Sequence, residues 1–471
     1  MKTILFLATL VGLTNAWAMD SEAFNSLVDK SIKAHQKTDN TGVAISVFTS
    51  NKILLQKGFG LKDREANLPV NAKTLFAIGS TTKAFTALDL KLLENNHQLN
   101  FSDKVKDLLP GFKLSSEMIT NEATVEDLLS HRIGLPRHDF LWYLSPFNRR
   151  DLLSRLQYLD FPAKGDENFR KTFQYNNLLF MTAGLIVEEK TQMSWESFTQ
   201  KNILDVLHMN ATEFGVPKDL SVVDVATPYV EEIRLNHKDI TTIGPAGSIY
   251  SNVEDMTKWI QSFMQHRWPN QEDFFKTRIG MLNDNPSLDY AYGLAWMRNS
   301  MSKTYTWNFH GGNIDGFSAL VLFSPELDLG VVILTNQDGS MLPNDIIGDI
   351  LNSVIKEKAS GVQNKSFASY NFQLFNTEKF FLQINDEQIP VSTTSSVTFH
   401  HPGYGDISLL TKGNDQFLDY YGHTWKLSAY DKDGFNFEGV GEINFPFRIE
   451  SDFVEAPFEP QVSNIHFLKA E

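Results

Sequence analysis

The stretch "LFAIGSTTKAFTALDLKLLENN" (residues 75–96) sets a serine and a lysine three apart, Ser80 and Lys83, at the head of an amphipathic helix. The apolar face of that helix runs through Phe85, Leu88 and Leu92, the spacing of one side of a 3.6-residue turn. Ser-x-x-Lys occurs three times in the chain, at Ser80/Lys83, Ser300/Lys303 and Ser353/Lys356, so spacing alone decides nothing. Context separates them. Ser300 sits in "MRNSMSKTYTW", a polar turn between strands, where both residues belong on a surface. Ser353 falls inside the last helix, where its hydroxyl can bond the preceding turn. Ser80 opens a helix, which puts its Oγ beside unpaired backbone N–H groups and the positive end of the helix dipole. Helical geometry then stacks Lys83 over it on one face.

A lysine serves as a base only when neutral. Its ordinary pKa is about 10.4, and burial among the "FAIG" and "AFTAL" neighbours pushes it down. A tyrosine–asparagine pair is the natural partner for relaying the proton, and two Tyr-x-Asn triplets exist, Tyr175-Asn176-Asn177 and Tyr250-Ser251-Asn252. The second precedes Glu254, so Ser251 and Glu254 read as a capping box. The first, in "KTFQYNNLLFMTAGLIVEE", stands before an apolar helix with no such role.

At 471 residues the chain is long for one core, and two domains are the natural prior. The opening "MKTILFLATLVGLTNAWA" has a positive end at Lys2, an apolar run from Ile4 to Leu13 and small residues at Ala16 and Ala18. It reads as a secretory signal over residues 1–18, and the run is too short to span a bilayer. A soluble, secreted protein is expected, extracellular or, in a bacterium, periplasmic. Cysteine is absent, which excludes a Cys nucleophile and Cys-based metal sites. The formal net charge is −15, with the acids dispersed and no basic stripe, so nucleic acid is not an expected partner. Asn100, Asn210 and Asn364 head glycosylation sequons.

The runs Val43–Thr49 and Ile53–Phe59 flank Ser50-Asn51 as an antiparallel hairpin. Residues 80–230 are mostly helical in pattern, with a capping-box-like start at Thr124 and Asp127. Strands return in "TYTWNFH", "FSALVLFS" and "DLGVVILTN", and a last helix, "NDIIGDILNSVIKEK", ends near Lys358. The expected fold is α+β: early and late strands pair in one antiparallel sheet, flanked by helices, with a helical region inserted. Residues 366–471 turn aromatic and short-stranded, predicting a separate all-β domain, a barrel or sandwich. The predicted domains are therefore 19–358 and 366–471.

"GSTTK", "FQYNN" and "WNFHGGNIDGF", in that order, together resemble the motifs of the serine β-lactamase-like family, which includes class C β-lactamases, D-alanyl-D-alanine carboxypeptidases, D-aminopeptidases and related esterases. "LLSHRIGLPRHD", "AGSIYSNVEDM" and "YGLAW" look like its recurrent segments too, and the likeness covers about residues 22–357. More loosely, the C-terminal region is similar to the β domain of some peptidase-type members, and the whole to secreted invertebrate, gigasin-type proteins of shell matrix. The resemblance implies Ser80 as nucleophile, Lys83 and Tyr175 as proton carriers, and Asn177 as a substrate and lysine contact. It implies an oxyanion hole from the N–H groups of Ser80 and Asn313, the latter after His310-Gly311-Gly312. No cofactor and no metal are implied; the partner is a small-molecule or peptide substrate.

One departure matters. Many relatives carry Lys-Thr-Gly where this chain has His310-Gly311-Gly312. A histidine is mostly neutral at pH 7, so grip on carboxylate-bearing lactams is expected to be weak and esters or peptides favoured. His131 and Arg132 read as loop braces. His138 and Asp139 lack a third ligand at useful spacing. Tyr292 and Trp296 read as packing residues. Two functions stay open: a secreted serine hydrolase, and a non-catalytic extracellular matrix protein that keeps the fold as a scaffold.

Overall fold

The computed structural model describes residues 21–36, 40–163, 165–281, 289–300, 305–358, 395–431, 434–438, 447–459 and 461–470. The expected signal segment and residues 359–394, Asn364 among them, lie outside them.

The central sheet has eight antiparallel strands, in the order Ile279–Gly280, Asp289–Tyr292, Met297–Ser300, Thr306–Ile314, Phe317–Ser324, Leu329–Thr335, Val43–Phe48 and Ile53–Phe59. Early and late segments meet where Val43 pairs with Thr335 and Phe48 with Gly330. Val43–Phe48, Phe317–Ser324 and Leu329–Thr335 are buried on both faces, so their sequences are near-continuously apolar rather than alternating. Alternation still sorts the side chains. Val43, Ile45, Val47, Leu320, Leu322, Val331 and Ile333 pack on the terminal helices Ser21–His35 and Leu342–Lys358. Ala44, Phe48, Ala319, Val321, Phe323, Val332 and Leu334 face the inserted helices Lys83–Asn95, Asn177–Thr191 and Val253–Met264.

A small sheet binds the two halves together ahead of the nucleophile segment: Phe76 pairs with Ser251, and Ala77 with Tyr250. Thr124 and Asp127 form the expected capping box, each side chain taking the other's backbone N–H. At Val253–Met264 the cap is Asn252, whose side chain accepts from Asp255 N at 2.9 Å. Ser251 instead ends a strand and bonds Thr212, 2.8 Å away. The capping box expected of Ser251 and Glu254 is thus replaced by a single asparagine cap one residue on, because strand pairing claims the serine.

The C-terminal region forms its own sheet from strands between Ser395 and Lys469. All pairings are antiparallel, and the eight described strands make a separate half-barrel, the all-β C-terminal domain that the sequence predicts.

Asn336, fully buried just past the Leu329–Thr335 strand, ties several segments with one side chain. Its Oδ1 accepts from Gly42 N at 2.8 Å, and its Nδ2 donates to Leu61 O, Lys62 O and Thr227 O at 3.1, 3.2 and 3.0 Å. Truncation takes this partner from two buried backbone groups, Gly42 N and Thr227 O, and from the part-buried Leu61 O and Lys62 O. Asn336→Ala is expected to cost on the order of 3 kcal/mol in urea unfolding; a loss below about 1 kcal/mol would contradict this role.

Candidate active site

Ser80 lies in a short 3-10 turn, Gly79–Thr82, that runs straight into the Lys83–Asn95 helix. Gly79 has φ +50°, the left-handed region that glycine enters without a Cβ penalty. Ser80 is 8% exposed and borders an open cleft of about 480 Å³. One turn on, Lys83 is fully buried. Its Nζ lies 3.0 Å from Ser80 Oγ, 2.8 Å from Asn177 Oδ1 and 2.8 Å from Ala246 O. The two carbonyl oxygens can only accept, so they take two N–H groups. The third direction of the nitrogen points at the serine oxygen. A neutral amine in this seat presents its lone pair to the hydroxyl proton, and an ammonium presents an N–H to the alkoxide. The same geometry serves both ends of a proton transfer.

Asn177 is delivered by a cap one residue earlier. Asn176 caps the Asn177–Thr191 helix, accepting from Leu179 N at 2.9 Å, and anchors the preceding loop through Leu135 O and Pro136 O. That leaves Asn177 in the first turn, with its amide orientation pinned: Oδ1 takes the Lys83 bond and Nδ2 donates to Asp139 Oδ1 at 3.2 Å. Tyr175 is 7% exposed, and Lys83 Nζ sits 4.7 Å from its ring centre. His131 packs on the same ring at 4.2 Å, and its Nδ1 accepts from Asn176 N at 3.1 Å. Its brace role is thus exerted directly behind the tyrosine.

The Thr306–Ile314 strand outruns its neighbour. The last pair with Met297–Ser300 is Phe309 with Met297, so His310 to Ile314 have one edge not taken up by that neighbour. That stretch lies against the nucleophile turn. A Cβ added to Gly312 would fall 2.1 Å from Ile78 O and 3.0 Å from Ser80 N, and one on Gly79 would fall 2.8 Å from Asn313 N. Only glycines permit the approach that brings the Ser80 and Asn313 amides to one end of the cleft. Gly312→Ala is expected to wedge the two backbones apart and cut ester turnover by about 100-fold or more; unchanged turnover would contradict that arrangement.

His310 is fully buried and does not line the cleft. Its Nδ1 is 2.6 Å from Gly311 O, which can only accept, so that nitrogen carries the proton and Nε2 accepts from Tyr292 OH at 3.0 Å. Burial, with the Lys83 charge adding to it, pushes its pKa down to about 3. His310, carried over from the resemblance as a substrate-side residue, is thus placed as a neutral prop off the cleft lining. The residues reaching the cleft from that strand and beyond are Asn313, Ile314 and Asp315.

Arg137, Trp142 and Tyr143 on one wall and Asp338 on another went unremarked in the sequence. Arg137 Nε is paired with Asp139 Oδ2, and the guanidinium lies 5.2 Å over the Tyr175 ring. Asp139 also accepts from Trp142 Nε1 at 2.5 Å. Tyr143 OH donates to Asp315 at 2.5 Å. Asn100 and Asn210 are exposed, away from the cleft lining. Among the described residues no group of three or more His, Cys, Asp or Glu could hold a metal ion, and no helix is long and apolar enough to cross a membrane.

The family model described as Beta-lactamase matches residues 28–350, and the chain belongs to that family. Among curated relatives, Protein flp of Staphylococcus aureus (strain MRSA252) is 28% identical over 324 residues, 65% of this chain and 62% of that protein. Unguisins hydrolase ungD' of Aspergillus campestris is 32% identical over 305 residues, 59% of this chain and 55% of the relative. The chain therefore spans less than two thirds of those relatives. Of solved structures, the octameric penicillin-binding protein homologue from Pyrococcus abyssi superposes with a TM-score of 0.63 at 20% identity, covering 95% of this chain and 100% of the other. A D-stereospecific amidohydrolase from Streptomyces sp. gives 0.56 at 19% identity, covering 68% and 97%. These two likenesses establish the fold, C-terminal region included in the first.

Buried histidines give the protein a pH signature. His131 and His310 are pushed well down, and His138 to about 4, in each case first by burial. Unfolded, they titrate near 6.5. Between the folded and unfolded values the unfolded chain binds more protons, so stability is full above about pH 6.5 and is lost as pH falls toward the folded values. By pH 5 the loss is about 2 kcal/mol for each of His138 and His310. Melting temperature is expected to drop by several degrees between pH 7.5 and 5; an unchanged value would contradict neutral burial.

Proposed function

We propose that this chain is a secreted serine hydrolase that works through an acyl-enzyme on esters, amides or D-amino-acid peptides, and is a poor β-lactamase. The observation carrying the reading is the Lys83 amine, 3.0 Å from Ser80 Oγ with carbonyl acceptors in its two other directions. Ser80 Oγ bonds the substrate carbonyl carbon while its proton passes to Lys83 Nζ. The amide N–H groups of Ser80 and Asn313 take the developing oxyanion. Lys83 and Tyr175 return the proton to the leaving oxygen or nitrogen as its bond to carbon breaks. Water then attacks the Ser80 ester, giving up its proton by the same route and releasing the acid.

The charge of the cleft supports the substrate class. The strand supplies a buried neutral His310 in place of a lysine, Arg137 is already paired with Asp139, and Asp315 and Asp338 line the wall. A substrate carboxylate meets no uncommitted cation from the strand. The relatives' names, an unguisins hydrolase and a D-stereospecific amidohydrolase, are compatible with amide substrates. The apolar leader supports export.

A neutral short-chain p-nitrophenyl ester is expected to turn over at least about 100-fold faster, by kcat/KM, than nitrocefin. Because His310 stays neutral down to about pH 3, its titration leaves that ratio flat from pH 5 to 8. Ser80→Ala should abolish both activities. Faster nitrocefin hydrolysis would overturn the substrate class, and no turnover of any ester, amide or lactam would favour the matrix-scaffold reading.

A further inference from the structure

The described residues of the C-terminal sheet do not line the cleft, yet they grip the loop that does. His138 sits between Arg137 and Asp139 with φ +48°, a left-handed conformation that costs a non-glycine residue energy unless its surroundings hold it. Every polar group of the residue that the holding requires is engaged. Its backbone N–H donates to Glu459 Oε2 at 2.7 Å. Its Nε2 lies 2.9 Å from Asp160 O, which can only accept, so Nε2 carries the proton and Nδ1 accepts from Tyr404 OH at 2.7 Å. Two residues on, Phe140 stacks on Phe458 at 4.7 Å and 8°. Glu459 is 5% exposed, and its other oxygen takes Gln461 N at 3.1 Å. A buried carboxylate is expensive unless its lone pairs are used, and here one of them is spent on a single loop amide of the other domain.

What that amide fixes is Asp139. Its carboxylate receives Asn177 Nδ2, Trp142 Nε1 and Arg137 Nε. Asn177 in turn holds Lys83 at 2.8 Å. We propose that Glu459 is a positioning residue for the Lys83–Asn177 pair, acting through the left-handed turn at His138 and the Asp139 carboxylate, so that docking of the C-terminal sheet completes the catalytic geometry. This role rests on the acyl-enzyme reading above and gives the C-terminal domain a part in it. Releasing the His138 N–H lets the turn relax toward a right-handed backbone and moves Asp139. Asn177 then loses the bond that sets its amide orientation.

The test uses the full chain and a control at another point of the same interface. Arg155 Nη1 donates across it to Pro402 O and Gly403 O at 3.1 and 2.8 Å, without touching the 137–143 loop. Glu459→Ala should slow Ser80 acylation by a fluorophosphonate about 10- to 100-fold, with KM for a minimal ester changed less than about 3-fold. Glu459→Gln keeps an acceptor and should recover most of the rate. Arg155→Ala should lower the melting temperature while leaving the rate within about 2-fold. Hydrogen exchange should quicken over residues 138–143 and 176–179 in Glu459→Ala and not in Arg155→Ala. Equal slowing in the alanine variants, or no rescue by glutamine, would overturn the inference while leaving the hydrolase reading intact. Should the wild-type chain not acylate at all, the hydrolase reading fails, and the exchange arm decides the coupling by itself: wild-type exchange at 176–179 in Glu459→Ala defeats it. If Glu459→Ala does not fold, Tyr404→Phe, which frees the His138 imidazole from the same region, takes its place under the acylation and exchange criteria.

Discussion

A buried amine with only three directions to offer, two of them claimed by carbonyl oxygens, is the constraint from which the rest of the site follows. Asn177 Oδ1 and Ala246 O come from different elements, a helix start and a short turn, and both must be in register before Lys83 Nζ can meet Ser80 Oγ. Each acceptor is itself held. Asn177 is steadied by Asp139, and the Gly244–Gly247 turn that carries Ala246 packs on the Asn177 helix, where a Cβ on Gly184 would strike Pro245. Thr86 reaches the same turn, donating to Pro245 O at 2.7 Å. The helix bearing the lysine is thus bonded to the turn it needs. The amine is placed by tertiary structure, and the Ser-x-x-Lys spacing supplies only the last step.

Glycine plays the complementary part on the other side of the nucleophile. Gly79 and Gly312 let two backbones approach more closely than side chains allow, turning a strand edge and a 3-10 turn into a pair of converging amides. The Thr306–Ile314 strand can present that edge because Met297–Ser300 stops at Phe309. Pairing on that edge therefore ends where the cleft begins, and the edge so released lies alongside the position of the nucleophile.

Ser80, Lys83, Tyr175 and Asn177 were legible in the sequence because each sits at a helix start that local rules mark: an apolar run, a polar head, an asparagine cap. Paired early and late strands were legible from continuous apolar runs. The burial of His310 was not, since period-2 alternation says which face of the strand it takes and not that Tyr292 and the Lys83 pocket close over it. Arg137, Asp139 and Asp338 lie on irregular loops with no period to betray them. Asp139 was considered only as half of a metal pair with His138, whereas the two residues face opposite duties, one toward Asn177 and one toward the C-terminal sheet.

Intact-mass analysis of the protein quenched during turnover of a slow ester, followed by peptide mapping, tests the central claim most directly. One acyl group per chain, on the peptide bearing Ser80 and absent from Lys83→Met, is the predicted result. An acyl group carried elsewhere, or full acylation of Ser80 without the Lys83 amine, would contradict the account.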